Sequence, residues 1–376
     1  MPAILGPRMA ADLIFAVGGM DANRILNFQN RNGLNVQQIV ERAAAAAGGA
    51  NDAVMARWGG LTYLTEESFA RYRAGVGGTA ARSTKKTEAA PTDPKKGQLS
   101  GHMLPISETE YALAWTEEYL RDVYEAQVDA DIQEQVSQFQ YDCEVDFLRR
   151  ALTNTENAIG AGYDVPWAIG TGTNVNFIPP QWQAVNFTSS HTHFKYDTGG
   201  TAADLKELRD AMIADLRHHG IRGVLAMMVS DADVDAWAAV DGFAEITPAN
   251  IMTFAASSTP LRVITGQLEG VPGELFGVFR TNRGIVELRS HELIPTKYCW
   301  MTKSYGVNNP DNGLAVRVHP TKPFGMIPNP QVDNSIQPRL SGIRLDALHG
   351  VGVNKRINGV AGQFNNGGSY SSPTIG

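Results

Sequence analysis

Cysteine is scarce in this chain. Among 376 residues there are 2 cysteines, Cys143 and Cys299, which lie far apart in the sequence. Cys143 falls within an apolar pattern, where we expect it to be buried as a small hydrophobic residue. The sequence therefore offers no disulfide framework of the kind that stabilises small secreted proteins, and it does not point to an oxidising compartment.

A basic excess is also absent. The 32 Lys and Arg residues and the 39 Asp and Glu residues give a net charge of −7. A protein that coats nucleic acid needs a basic face to neutralise phosphates, so the charge argues against a general coating role. The content of 43% hydrophobic and 19% charged residues is typical of a folded protein. Its length is sufficient for two or three lobes.

Long apolar runs are missing as well. The longest, such as Gly223–Val229, are far shorter than the roughly 20 residues that a membrane-spanning helix requires. Residues 1–20 contain a short apolar run, but they lack the charged start and the defined hydrophobic core of a signal peptide. We therefore expect no membrane segment and expect the N-terminus to belong to the mature chain.

Histidines give the spacing that best suits a metal ion. His191 and His193 alternate, so on a strand both imidazoles could reach one ion. No Cys, Asp or Glu cluster nearby in the sequence completes a ligand set, and a polar loop is the preferred interpretation. His218 and His219 lie at the end of a predicted helix, where they suit the carbonyl end of its dipole.

Two other stretches resemble catalytic motifs only in part. Gly170–Thr173 lacks the Lys-Ser/Thr pair of a phosphate-binding loop, and Ser230 lacks the Gly-x-Ser-x-Gly context of a nucleophile elbow. We therefore predict that the chain is not an enzyme, with no catalytic residue, no metal site and no cofactor.

The strongest signal for a single element runs from Ala114 to Leu152. Its apolar residues recur every three or four positions, and no Pro or Gly interrupts it. The pattern predicts one helix of about 58 Å, at 1.5 Å per residue. The apolar stripe consists of Leu120, Tyr124, Val128, Ile132, Val136, Phe139, Cys143, Phe147 and Ala151.

The region before this helix is predicted to contain a shorter helix and a long projection. The helix covers Val36–Ala47 and ends at Gly48-Gly49. Residues 61–112 read as a two-stranded projection with its tip near Lys85–Lys96. Two strands alone bury too little surface to be stable in water, so a neighbouring subunit is a natural support.

The region after the long helix is predicted to be mixed. A helix over Ala202–His219 has Thr201 as its N-cap and Gly220 as its stop. A buried strand at Val224–Val229 and a short helix at Val234–Val240 follow. Further strands are predicted at Leu261–Thr265, Leu275–Phe279, Ile285–Leu288, Tyr298–Met301 and Leu314–Val318.

This layout resembles the major capsid protein of tailed double-stranded-DNA bacteriophages, which has the Hong Kong 97-type capsid fold. The stretch GHMLPISETEYALAWTEEYLRD (Gly101–Asp122) resembles the family's descent from its extension loop into its spine helix. The stretch GVGVNKRINGVAGQF (Gly350–Phe364) is similar to its return strand, although the tail Asn358–Gly376 has the composition of a disordered segment. The resemblance implies an α+β fold with an N-terminal arm (1–60), an extension-loop β-hairpin (61–112), a peripheral domain with a spine helix (113–200, helix 114–152), an α/β axial domain (201–318), and a return to the peripheral domain with a C-terminal tail (319–376).

The function that the resemblance implies is structural. Copies of the chain would form hexamers and pentamers of an icosahedral shell that encloses double-stranded DNA without sequence specificity. Portal and scaffolding proteins are the implied partners, and a decoration protein is left open. Some family members carry a long acidic N-terminal scaffold that is missing here, so a separate scaffolding protein is expected. The location would be the virion, assembled in the bacterial cytoplasm.

Oppositely charged surfaces are the candidate subunit contacts. Each exposed ion pair contributes less than about 1 kcal/mol, so such pairs would set register more than strength. Burial of Trp58, Trp115 or loop aromatics would contribute more. The candidate residues are Arg82, Lys85, Lys86, Lys95 and Lys96 at the loop tip, and Glu117, Glu118, Asp122 and Glu125 on the predicted long helix.

Three alternatives remain open at this point. Some family members link a loop lysine to a neighbour's asparagine, and Asn354 or Asn358 could take that part, but no motif fixes either residue. An encapsulin-like compartment with protein cargo would share the fold. A soluble α/β enzyme would instead form a small closed oligomer with a polar pocket.

Overall fold

The computed structural model describes residues 33, 35–74, 98–156, 163–169, 177–180, 182, 187, 191–245, 268–333 and 340–376. The chain divides into two compact units, which are considered separately. The first unit comprises Met1–Met55, Ile106–Glu144 and Val318–His349, and the second comprises Ala56–Pro105, Val145–Arg317 and Gly350–Gly376.

Helices and strands are both abundant, which confirms the predicted α+β class. The helices are α1 (Val36–Trp58), α2 (Glu117–Asp122), α3 (Glu125–Leu152), α4 (Ala202–His218) and α5 (Val234–Ala238). The strands are β1 (Thr62–Thr65), β2 (Phe69–Ala74), β3 (Gln98–Met103), β4 (Ser107–Thr116), β5 (Phe194–Tyr196), β6 (Leu225–Ser230), β7 (Phe243–Glu245), β8 (Glu274–Thr281), β9 (Gly284–His291), β10 (Tyr298–Thr302), β11 (Leu314–Val318), β12 (Met326–Asp333), β13 (Leu340–Val353) and β14 (Val360–Gln363). Among the described residues, no helix has the length and apolar character needed to cross a bilayer.

Helix α1 is longer than the sequence predicts. The prediction that Gly48 and Gly49 end it is wrong, because both lie inside the helix. Both glycines are exposed, and each costs about 1 kcal/mol relative to Ala. The apolar stripe continues beyond them through Ala50 and Val54, which are 3% and 4% exposed. Burial of this face therefore outweighs the poor helix propensity of the two glycines.

The predicted helix from Ala114 is wrong at its N-terminal end. Residues 107–116 form strand β4, since Tyr111, Leu113 and Trp115 alternate with exposed residues and follow the period of a strand. Thr116 then caps α2, where its hydroxyl oxygen accepts a hydrogen bond from the Tyr119 N–H at 3.1 Å. The helical stripe predicted further along is confirmed in α3, except at its start.

Tyr124, the stripe residue immediately before α3, is 58% exposed and does not belong to the buried stripe. The members of the stripe that lie in α3 are all 6% exposed or less, and they are Val128, Ile132, Val136, Phe139, Cys143, Phe147 and Ala151.

In the first unit, β12, β13 and β4 form an antiparallel sheet with β13 in the centre. The inner face of β4 contacts α3 through polar groups as well as apolar ones. The Tyr111 hydroxyl donates to Asp142 at 2.8 Å, and the Trp115 indole N–H donates to Asp131 at 3.0 Å. The Tyr111 ring also meets the Phe139 ring edge-on, with centroids 5.9 Å apart. These contacts fix the strand on the helix.

The second unit is built on a seven-stranded mixed sheet with the order β5-β14-β10-β6-β9-β8-β7. Strand β6 is parallel to β9 and antiparallel to β10, and all six of its residues are buried. This confirms the buried strand predicted from the continuous apolar run at Val224–Val229. The predicted strand Leu261–Thr265 lies outside the described residues, whereas the four that follow it are confirmed within β8 to β11.

Helix α4 packs on β14, β5 and β10 of this sheet. As predicted, Thr201 caps it, and a reciprocal capping box with Asp204 completes its first turn. Gly220 follows the C-cap with φ +84°, a backbone conformation that favours glycine. The predicted apolar face is buried and consists of Leu205, Leu208, Met212 and Leu216.

The C-terminal tail is ordered, contrary to what its Gly-, Ser- and Asn-rich composition indicates. Val360–Gln363 forms β14, which lies between β5 and β10 inside the sheet. Further on, Tyr370 is 8% exposed and its hydroxyl donates to the Leu152 carbonyl at 2.6 Å. Sheet pairing and this anchor hold a segment whose composition alone would leave it unfolded.

A buried ion pair lies on β9 of the second unit. Arg289 and Glu287 are 1% and 2% exposed, and the guanidinium donates to the carboxylate at 2.9 and 3.0 Å. Arg289 also donates to the carbonyls of Val271, at 2.8 Å, and Leu268, at 3.3 Å. The carboxylate accepts the Leu268 N–H at 3.2 Å. The pair therefore ties the segment at 268–273 to the sheet.

Candidate subunit-contact surfaces and a histidine cluster

The basic candidates predicted from the sequence belong to one segment, residues 75–97, which lies outside the described residues. The strands that lead into it are described: β2 and β3 pair antiparallel from Phe69↔Met103 to Ala74↔Gln98. This confirms that two strands flank the basic segment. The candidates in question are Arg82, Lys85, Lys86, Lys95 and Lys96.

One face of the β2–β3 hairpin exposes apolar surface. Phe69 and Met103 are direct cross-strand partners, so their side chains lie on the same face. They are 40% and 46% exposed, which is unusual for large apolar residues. The Phe69 ring lies over Gly101, where a Cβ atom would clash with it. We call Phe69 and Met103 the hairpin apolar face.

The acidic candidates are distributed between two settings. Glu118 and Asp122 are exposed on α2, and Glu117 is in the same helix. Glu125 is instead paired within the chain, since it forms an ion pair with Arg42 of α1. The same guanidinium also binds Asp129 at 3.0 Å. Glu125 therefore already has a cation from its own chain.

Arg42 was not among the sequence candidates. The two carboxylates raise the pKa of its guanidinium, first by accepting its hydrogen bond at Glu125 and then by accepting its hydrogen bonds at Asp129. Arg42 is 83 positions before Glu125, and sequence spacing gives no sign of the pair.

The two tryptophans considered as contacts are buried within the chain. Trp58 is 0% exposed and stacks on Phe147, and Trp115 is 6% exposed. The prediction that they supply subunit contacts is therefore wrong, because neither offers surface to a neighbour.

The asparagines considered for cross-linking are also buried. Asn354 donates its side-chain amide to the carbonyls of Pro310 and Asn312, at 2.7 and 3.0 Å. Asn358 donates to those of Lys303 and Asp311, at 3.0 and 3.2 Å. A link to either residue would have to displace these bonds, which argues against both.

Four histidines come together in the second unit. His191 and His193 precede β5, and His218 and His219 close α4, which packs on that strand. Their nearest side-chain nitrogens all lie within 4.8 Å of one another. We call these four residues the histidine cluster. The two pairs are separate in the sequence, and the packing of α4 on β5 brings them together.

The environment of the histidine cluster favours neutral imidazoles. Burial, together with His218 and Lys195, lowers the pKa of His191 to about 4. Burial likewise lowers the pKa of His193, well below its usual range, and the pKa values of His218 and His219. A neutral imidazole is the form that binds a metal ion.

Comparisons with known proteins bear on the fold. No protein-family model and no curated protein matches the sequence. A solved chain described as "Mycobacterium phage Patience" is 17% identical, with a TM-score of 0.58, over 92% of this chain and 93% of that one. The fold is of the Hong Kong 97 type.

Two other solved structures are more distant. "Asymmetric unit of bacteriophage PhiM1 mature capsid" is 11% identical over 82% of this chain and 87% of that one, with a TM-score of 0.46. The holo-SrpI encapsulin complex from Synechococcus elongatus PCC 7942 is 11% identical over 81% and 85%, with a TM-score of 0.39.

Two described elements lie where the sequence predicts parts of this fold. The hairpin of β2 and β3 lies within the predicted extension loop, and α3 is the predicted spine helix, shortened to 125–152. The predicted domain boundaries and the subunit contacts remain predictions.

Proposed function

We propose that this chain is the major capsid protein of a tailed double-stranded-DNA bacteriophage. Copies of it assemble into an icosahedral shell around the genome, and its role is structural, without catalysis. The supporting observation is the Hong Kong 97-type fold, shared over 92% of this chain with a chain from a mycobacterium phage. The likeness extends over 93% of that chain, so nearly every part of the relative has a counterpart here.

The hairpin apolar face is the subunit contact that we propose first. Two strands cannot bury enough surface to be stable alone, and this pair leaves Phe69 and Met103 exposed. Apolar burial contributes about 25 cal/mol per Å², whereas an exposed ion pair contributes less than about 1 kcal/mol. Covering this face with another copy therefore stabilises a shell more than the charges do.

Charged residues then set the register between copies. The exposed carboxylates Glu118 and Asp122 on α2 are partners for the basic segment of a neighbouring copy, with Glu117 as a further candidate. Glu125 contributes less, because Arg42 already neutralises it. Ion pairs of this kind depend on salt, and the contact should weaken as ionic strength rises.

The remaining partners follow from the proposed role. Hexamers and pentamers of this chain surround the DNA, a portal protein occupies one vertex, and a separate scaffolding protein guides assembly in the bacterial cytoplasm. The net charge of −7 suits a wall that must not grip the genome.

An assembly assay tests this proposal. The full chain is expressed with the scaffolding protein of the same phage, and particles are isolated by sedimentation. A variant with Phe69→Asp and Met103→Asp should remain folded by circular dichroism and fail to form particles. The matched control, Phe69→Leu with Met103→Leu, keeps an apolar face and should assemble.

Three results would contradict different parts of the account. Assembly of the aspartate variant at the wild-type level would refute the hairpin apolar face as a contact. A wild-type chain that remains monomeric with scaffold would refute the capsid function itself. If particles isolated from infected cells contain a protein cargo and no DNA, the shell is an encapsulin-like compartment and does not enclose a genome.

A further inference from the structure

The side-chain nitrogens of the histidine cluster lie at hydrogen-bond distances that no arrangement of their protons satisfies. His191, His193 and His219 form a triangle of Nε2 atoms with sides of 3.2, 3.0 and 3.0 Å. A second triangle replaces His193 with His218, whose Nε2 lies 3.0 Å from those of His191 and His219. Five such contacts therefore join four nitrogen atoms.

Hydrogen bonding cannot satisfy either triangle. A contact between two imidazole nitrogens is a hydrogen bond only when one carries a proton and the other offers a lone pair. Three atoms in a ring cannot alternate between the two roles. At least one side of each triangle therefore joins two lone pairs or two N–H groups, which repel. A cation bound between the four rings would accept their lone pairs, and this would remove the repulsion between them.

Most of the distances are near those around a tetrahedral ion. Four nitrogens at about 2.0–2.1 Å from Zn²⁺ lie about 3.3–3.4 Å from one another. Five of the six separations in the cluster are 3.0–3.2 Å, and the sixth, between His193 and His218, is within 4.8 Å, so an ion would draw these two rings together. The ring of His193 is already oriented to offer its Nε2 atom to an ion. Its Nδ1 lies 2.8 Å from the Gly359 carbonyl, which can only accept, so Nδ1 carries the proton and Nε2 keeps its lone pair.

The surroundings resemble the shell of a structural metal site. His193 is 0% exposed and His219 is 6% exposed, while His191 and His218 are half-buried. Phe187 lies against three of the rings, with centroids 4.9 to 5.4 Å apart. A closed set of four protein ligands is the pattern of a structural ion, since a catalytic ion keeps an open position.

We propose that the histidine cluster is a structural binding site for one divalent transition-metal ion, with Zn²⁺ as the best fit. Imidazole ligands without thiolate or carboxylate suit zinc, copper and nickel, and four protein ligands are the usual set of a structural zinc ion. The ion ties the segment before β5 to the end of α4 within the second unit. This inference does not depend on the proposed function, because it concerns contacts inside one chain.

Metal content and cobalt spectroscopy test the site. The untagged full chain is purified from zinc-supplemented medium and analysed by mass spectrometry of metals. We expect one zinc per chain, and Co²⁺ exchanged into the protein should give the intense visible absorption of a tetrahedral site. His191→Asn with His218→Asn, at the two half-buried positions, should weaken zinc binding by at least 100-fold and abolish that spectrum. The matched control is His319→Asn, an exposed histidine outside the cluster, and it should retain both.

Each outcome decides the proposal. Stoichiometric zinc that is lost in the double variant and kept in the control supports the site. Zinc far below one per chain, an octahedral cobalt spectrum, or equal affinity in the double variant overturns it. If the double variant does not fold, the wild-type stoichiometry and cobalt spectrum decide. Shells that form in zinc-supplemented cells and contain no zinc overturn this inference and leave the proposed function intact.

Discussion

Replacing Arg289 with methionine removes the cation of the buried pair on β9. The guanidinium is 1% exposed and lies 2.9 Å from the Glu287 carboxylate, which is 2% exposed. The substitution leaves that carboxylate buried without its cation. Removing one partner of a buried pair typically costs about 3–5 kcal/mol of folding free energy. We expect a loss of that size for Arg289→Met.

A double variant separates the charge from the backbone contacts. Glu287→Met with Arg289→Met removes the stranded charge and refills the volume with apolar atoms. The N–H of Leu268 and the carbonyls of Leu268 and Val271 still lose their partners. Each lost hydrogen bond costs about 1 kcal/mol, so the double variant should recover part of the loss and remain about 1–3 kcal/mol below wild type.

Urea unfolding of the dissociated subunit, followed by tryptophan fluorescence, measures these losses. The control is Arg280→Met, at an exposed position on β8 of the same sheet, which should change stability by no more than about 0.5 kcal/mol. If Arg289→Met were no more costly than Arg280→Met, the buried pair would not stabilise the sheet and the reasoning would be refuted.

Three further predictions concern local stability, each measured by unfolding of the subunit. Gly48→Ala and Gly49→Ala should each stabilise it by about 0.5–1 kcal/mol, since nothing lies within 4 Å of an added Cβ; a loss of stability would contradict the helical assignment. Thr201→Ala should cost about 1 kcal/mol by removing the α4 cap, whereas Thr201→Ser should be nearly neutral. Burial lowers the pKa of His349 from 6.5 to about 4. The unfolded chain thus takes up this proton first, and His349 alone should lower stability by roughly 3 kcal/mol as the pH drops from 6.5 through 4, in addition to the loss from other buried histidines such as His102 and His291. His349→Gln should reduce the slope by that share, and an unchanged slope would contradict it.

Local signals predicted several elements well. Helix α4 combines a regular apolar stripe with Thr201 at its start and Gly220 after its end, and the structure contains each of them. The buried strand β6 was predicted from a continuous apolar run. In these cases local propensity, capping and burial all favour the same structure.

Other elements depend on contacts that the sequence does not display. Strand β4 carries residues that also fit a helical stripe, and pairing with β13 decides its structure. Helix α1 continues through Gly48 and Gly49 because its buried face continues. The tail is ordered by β5 and β10, which are distant in sequence. Tertiary context overrides propensity at each of these positions.

The candidate sites were harder to predict than the fold. The histidine cluster forms because α4 packs on β5, so two pairs that are distant in sequence become one set. Arg42 neutralises Glu125 from another helix. A sequence gives the residue types of such sites, and only the fold gives their distances.

Electron microscopy of the purified full chain, alone and with its scaffolding protein, tests the central claim most directly. The account predicts uniform closed shells, tens of nanometres wide, built from hexamers and pentamers of this chain. A persistent monomer or small ring under both conditions would contradict it.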